Sequence, residues 1–104
     1  DLVTAVSGSG PAYFFLLMEL LAKFAREAGL AAKEARLLAV QTGLGAARLA
    51  QSSSFSPEEL RQQVTSKGGT TEAALNVLEK EKFGDIFFKA LKAALDRGRE
   101  LSHR

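Results

Sequence analysis

An all-α fold follows from three features of this 104-residue sequence. Apolar residues recur at helical spacing along most of the chain, and glycine, proline or serine punctuates each periodic stretch. The one segment that reads equally as a strand, Leu2-Val3-Thr4-Ala5-Val6, has no second strand to pair with, which favours the stub of a helix. With 46% apolar and 25% charged residues, the composition is that of one globular domain over 1–104, built of about five helices. A first residue of Asp rather than Met, followed by an uncapped apolar pentad, suggests a domain of a longer chain.

The first full helix is expected over Pro11–Ala28. Glu19, Lys23, Arg26 and Glu27 fall at i, i+4, i+7 and i+8 and make one narrow polar stripe. Phe14 to Met18, Leu20, Leu21 and Phe24 cover the rest, so the helix is apolar on most of its circumference and must be surrounded. One layer of neighbours in so short a chain cannot enclose it, which calls for a partner subunit. Pro11 suits the first turn, with Ser9 or Gly10 capping, and Gly29 suits a left-handed stop.

The second helix, about Ala32–Gln51, carries Ala35, Ala39, Gly43, Ala46 and Ala50 on one smooth face that another helix can approach closely. Gly43 and Gly45 each cost about 1 kcal/mol against Ala within a helix, so they read as contact points, or else as a kink. Ser56-Pro57-Glu58-Glu59 is a capping box opening a short helix to about Thr65. After Ser66-Lys67-Gly68-Gly69 a further helix spans Thr70–Glu81, Phe83-Gly84 breaks the pattern, and the last helix runs from Asp85 to Ser102. There Phe87, Leu91, Ala94, Gly98 and Leu101 oppose a charged side, while Asp85 at the start and Arg97, Arg99 and Arg104 at the end suit the helix dipole.

Several function classes are excluded or weakened. The net charge of +2 comes from alternating signs rather than a basic block, so nucleic acid is not an expected partner. Without cysteine there is no disulfide and no thiolate metal site, and nothing points to an oxidising compartment. The longest apolar run, Pro11–Met18, ends at Glu19, short of the ~20 residues that span a bilayer, so no membrane is expected and the cytoplasm is the expected location. His103, the single histidine, lies beside the chain end and cannot anchor a triad; no metal ligand set can be named.

Two glycine motifs remain. Gly8-Ser9-Gly10-Pro11-Ala12-Tyr13 begins like a dinucleotide fingerprint but has Pro after its second glycine and Tyr where the third belongs, so dinucleotide binding there is rejected. It is either a tight loop starting the buried helix or one whose Ser7 and Ser9 hydroxyls line a pocket. In Val64-Thr65-Ser66-Lys67-Gly68-Gly69-Thr70-Thr71-Glu72, the glycine pair before a helix can turn free N–H groups outward to a small anion, helped by the Ser66, Thr70 and Thr71 hydroxyls. The competing reading is a flexible connector with Thr70 as an N-cap.

Asp1 through Tyr13, Gln41-Thr42 with Gly45-Ala46-Ala47, Leu60-Arg61, and Gln63-Val64-Thr65-Ser66 with Gly68-Gly69-Thr70-Thr71 together resemble the C-terminal domain of pyrroline-5-carboxylate reductase over essentially the whole chain. The resemblance implies NADPH- or NADH-dependent reduction of 1-pyrroline-5-carboxylate to L-proline, the last step of proline biosynthesis. It also implies that a preceding Rossmann domain holds most of the cofactor, that the helices interleave with those of a partner in a homodimer, and that dimers can build rings of five. By motif position it implies that Ser66, Gly68, Gly69, Thr70 and Thr71 receive the substrate carboxylate. Thr71 matches the threonine whose hydroxyl lies near the ring nitrogen, and is the expected catalytic residue. The chain departs from the family pattern at Lys67 and at Ala31-Ala32, where relatives often carry proline. Two alternatives stay open: a purely structural oligomerisation module, and the helical domain of another Rossmann-linked dehydrogenase.

Overall fold

A computed structural model of the chain describes residues 1–103. A short π-helix, Thr4–Gly8, precedes α1 (Gly10–Glu27), α2 (Ala32–Ser52), α3 (Pro57–Gln63), α4 (Thr70–Lys80) and α5 (Phe83–Ser102), with no strand among the described residues. The all-α expectation holds, with five α-helices whose ends fall within about two residues of those read from spacing. The chain divides into two compact units, Ser9–Ser54 and a second formed by Asp1–Gly8 with the residues from Phe55 onward.

The first unit is the α1–α2 hairpin. Its turn is a glycine stop of the Schellman kind: Gly29 has φ +115°, its N–H donates to the Arg26 carbonyl, and the Leu30 N–H reaches back to the Ala25 carbonyl, each at 3.0 Å. The small face of α2 does what its spacing foretold over its first half. Ala35 and Ala39 are buried, and a Cβ added at Gly43 would lie 2.8 Å from the Met18 terminal methyl. The neighbour is α1 of the same chain, so this part of the smooth face needs no second subunit. At Gly45 a Cβ would meet nothing within 4 Å, so any contact made there is not with this chain. Ala46 and Ala50 are also exposed.

The outer side of α1 is bare. Met18, Ala22 and Ala25 are half-buried, whereas Phe14, Phe15 and Phe24 are exposed by 64%, 65% and 73%. A helix with this much aromatic surface in water requires a cover. The stretch Thr4–Glu27, 24 residues, is long and apolar enough by length and composition to cross a membrane. The stretch exceeds the uninterrupted apolar run Pro11–Met18 because a helix carries its apolar faces past isolated polar residues such as Glu19.

In the second unit the N-terminal pentad is helical, as favoured, but partly wound as a π-helix. The Ser7 hydroxyl donates to the Val3 carbonyl at 2.9 Å, and a Cβ on Gly8 would sit 3.2 Å from the Thr4 methyl, a crowding that glycine avoids. Ala5, the buried residue of this segment, belongs to a turn that packs on α5. The capping box at α3 forms in full: the Glu59 N–H donates to the Ser56 hydroxyl at 3.1 Å and the Ser56 N–H to the Glu59 carboxylate at 3.0 Å. The Ser56 amide, and then its hydroxyl, hold the Glu59 carboxyl below its ordinary value of 4.5.

The break between α4 and α5 lies at Glu81–Lys82, not at Phe83-Gly84. Lys82 takes the left-handed conformation (φ 59°, ψ 43°), and its carbonyl accepts the Ile86 N–H at 3.1 Å. Starting α5 at Phe83 sets the Phe83 and Phe87 rings one turn apart, with centroids 5.8 Å from each other. On α5, Phe87, Leu91, Ala94 and Gly98 are half-buried as the amphipathic pattern required, whereas Leu101 is exposed. Exposed pairs Lys92–Asp96 and Arg97–Glu100 add little stability. Arg104 lies outside the described residues.

Candidate functional site

The segment joining α3 to α4 is held by its own polar groups. The Thr65 hydroxyl donates to the Arg61 carbonyl at 2.5 Å and its N–H to the Gln62 carbonyl at 3.1 Å, which finishes α3. The chain then makes a four-residue turn, Ser66-Lys67-Gly68-Gly69, closed by the Gly69 N–H donating to the Ser66 carbonyl at 3.0 Å. Gly68, the third residue, has φ +78°, the type II arrangement that favours glycine there. Gly69 is crowded for a different reason: a Cβ would press on the Ser66 hydroxyl and lie 3.2 Å from the Ser66 carbonyl oxygen.

Gly69 is the N-cap of α4, in extended conformation, and its carbonyl accepts the Ala73 N–H at 3.2 Å. Thr70 is therefore the first residue of the helix and not its cap. The amides of Thr70, Thr71 and Glu72 occupy the first turn, where no carbonyl four residues back within the helix can accept them. Thr70 is exposed and Thr71 half-buried. A helix start with outward amides attracts negative charge.

All five residues named from the sequence, Ser66, Gly68, Gly69, Thr70 and Thr71, thus come together in one turn and the helix start that follows it. The donors are not where the glycine pair led us to expect. The Gly69 N–H closes the turn and the Gly68 N–H donates to Glu72 Oε1 at 3.1 Å, so the amides left to receive an anion are those of the threonines in the first helical turn. Glu72 is the residue that sequence reading passed over. Its signal was available: an acid at the third helical position is placed to reach back over the helix start.

Other candidates contribute less. The Ser7 hydroxyl is engaged within its own turn, and Ser9 caps α1 without a side-chain bond. A groove of about 570 Å³ lined by Arg61, Leu75, Leu78, Glu79, Phe83 and Gly84 includes none of the turn residues. Among the described residues no three His, Cys, Asp or Glu side chains gather as metal ligands. Nor do they form a dinucleotide cradle: Gly8-Ser9-Gly10 runs from a π-helix directly into α1, with no strand before it, and Gly10 is buried.

Comparison with known proteins gives the arrangement its family. Residues 1–101 match the family model described as pyrroline-5-carboxylate reductase dimerisation. The chain belongs to this family. It is 49% identical over 104 residues to a pyrroline-5-carboxylate reductase of Pseudomonas aeruginosa, matching all of this chain and 38% of that protein. It is 48% identical over 102 residues to the enzyme of Pisum sativum, matching 98% of this chain and 37% of that one. Among solved structures, a pyrroline-5-carboxylate reductase from Coxiella burnetii superposes with a TM-score of 0.91 at 52% identity, covering 96% of this chain and 37% of that structure. The Plasmodium falciparum pyrroline carboxylate reductase with NADP bound gives 0.88 at 33% identity, with coverages of 93% and 37%. The chain spans a little over a third of the length of these family members.

Proposed function

We propose that this chain is the oligomerising and substrate-carboxylate-binding part of a pyrroline-5-carboxylate reductase, which reduces 1-pyrroline-5-carboxylate to L-proline. One observation carries the reading: the first-turn amides of Thr70 and Thr71, which no carbonyl within the helix can accept, beside a turn crowded against Ser66 at Gly69, in a domain of this family. The substrate carboxylate rests on those amides, with the Ser66 and Thr70 hydroxyls as further donors. With its negative end fixed, the flat ring is oriented and its C=N carbon presented on one face. Reduction adds a hydride to that carbon and a proton to the nitrogen. The Thr71 hydroxyl stands beside the nitrogen as a neutral donor, and the proton is replaced from water.

The hydride comes from NADPH or NADH. The described residues do not fit a dinucleotide, so the cofactor is assigned to a separate Rossmann domain preceding this chain, and the fragment alone is inactive. The bare side of α1 is covered by helices of a second copy in an interleaved homodimer, which can assemble further into a ring. The polar stripe of Glu19, Lys23, Arg26 and Glu27 suits a helix between protein neighbours better than one in lipid, which supports a cytoplasmic enzyme.

In the full-length reductase, Thr71→Ala lowers kcat/KM for pyrroline-5-carboxylate by about a hundredfold. Gly69→Val, whose side chain strikes Ser66, raises KM steeply. Parent-like kinetics in both variants would remove the site. A second reading, an oligomerisation module whose turn binds nothing, is favoured by the internal use of both glycine amides. Titration with L-proline separates the two: the Thr70 and Thr71 amide resonances shift on the first reading and stay still on the second.

A further inference from the structure

Glu72 places a carboxylate beside the amides proposed to receive a carboxylate, and the reading above gives it no task. Its one hydrogen bond shows what it does. Oε1 accepts the Gly68 N–H at 3.1 Å. In the Ser66–Gly69 turn the closing bond uses the fourth residue's N–H and leaves the third's outside the ring. Turns of types I and II differ in the orientation of their central peptide, here Lys67–Gly68, which can rotate by about half a turn. Rotation would carry the Gly68 N–H away from the helix start and bring the Lys67 carbonyl oxygen toward it.

A proline at the second position, with glycine after it, commonly biases such a turn. This chain has lysine there, which leaves φ free. We infer that Glu72 is a positioning residue that, by accepting the Gly68 N–H, holds the Lys67–Gly68 peptide in the orientation that keeps carbonyl oxygen off the substrate-binding amides. The inference rests on the proposed function for its kinetic consequence, while the hydrogen bond itself does not depend on it.

The test is a set of variants in the full-length reductase. Glu72→Ala raises KM for pyrroline-5-carboxylate, and the inhibition constant of L-proline, about three- to tenfold, the worth of one hydrogen bond, with kcat within about twofold. Glu72→Gln keeps the acceptor and leaves KM within about twofold of the parent. Adding Lys67→Pro to Glu72→Ala returns KM to within about twofold, because the turn is then biased from its second position. A role in stability alone would lower the active fraction, and so kcat, while leaving KM unmoved. An unchanged KM in Glu72→Ala, an equal rise in Glu72→Gln, or no rescue by Lys67→Pro overturns the inference. Hydrogen exchange at the Gly68 amide supplies a readout independent of turnover: it accelerates in Glu72→Ala and not in Glu72→Gln, and equal rates overturn the inference as well. If the parent does not reduce pyrroline-5-carboxylate, the functional reading fails, and the exchange result still decides the role of Glu72.

Discussion

Met18 lies over Gly43, and Ala35 and Ala39 close against α1 with almost nothing but methyl groups. Between Ser56 and Glu72 the chain is instead held by separately identifiable hydrogen bonds: the two of the capping box, the Thr65 bonds, the turn closure and the Glu72 clamp. The hairpin is organised by shape, whereas the turn region is organised by donors and acceptors whose loss is local. Burial by small residues sets how closely two helices approach; single polar contacts set which way one peptide faces. An element of packing and an element of polar contacts have here been given different physics.

The largest effect should come from the outer face of the hairpin. Leu17→Glu with Phe24→Glu puts charge where a subunit interface is proposed. At about 1.5–3 kcal/mol per covered side chain, self-association weakens by at least ~100-fold. Sedimentation at micromolar concentration checks this, and an unaltered assembly would show that the bare face is not the interface. Next comes the inner face. Ala35 is fully enclosed, so Ala35→Leu costs about 1–3 kcal/mol of stability in denaturant melts.

The turn region responds more gently. Ser56→Ala removes the α3 cap at a cost of about 1 kcal/mol. Because Glu59 is held below its ordinary value, its contribution is present above pH 4.5 and is lost as pH falls through the lowered value. Melts between pH 6 and about pH 3 should therefore lose less stability in Ser56→Ala than in the parent. The smallest effect is a gain. Lys82→Gly relieves a left-handed lysine and stabilises the chain by about 0.5 kcal/mol after the flexibility that glycine adds to the unfolded chain. No rise in the melting midpoint would mean that the lysine side chain has an offsetting role there.

This division also explains what could be read from the sequence. The helices were legible because spacing alone states them, and the capping box and the Gly29 stop were legible because their chemistry is local to a few residues. What escaped depended on a competition between neighbours. Whether Thr70 or Gly69 caps α4 turns on which residue stays extended, and the break at Lys82 rather than Gly84 turns on the Phe83–Phe87 contact, a gain that propensity does not register. Gly45 looked like Gly43 because both lie in the same helix, yet only Gly43 has a neighbour in this chain. The five proposed site residues were reached from the glycine-pair motif and the family resemblance together, whereas a glycine pair advertises free amides without saying which are already taken. The two hydrogen bonds that take them are made by Ser66 and Glu72, one before and one after the pair.

Among the described residues, the buried apolar side chains are three alanines, Ala5, Ala35 and Ala39. So small an enclosed core offsets little of the chain entropy lost on folding, and the domain relies on surface covered in the oligomer that a dimerisation domain forms. The melting midpoint of such a domain climbs as its concentration climbs, and dilution acts as a denaturant.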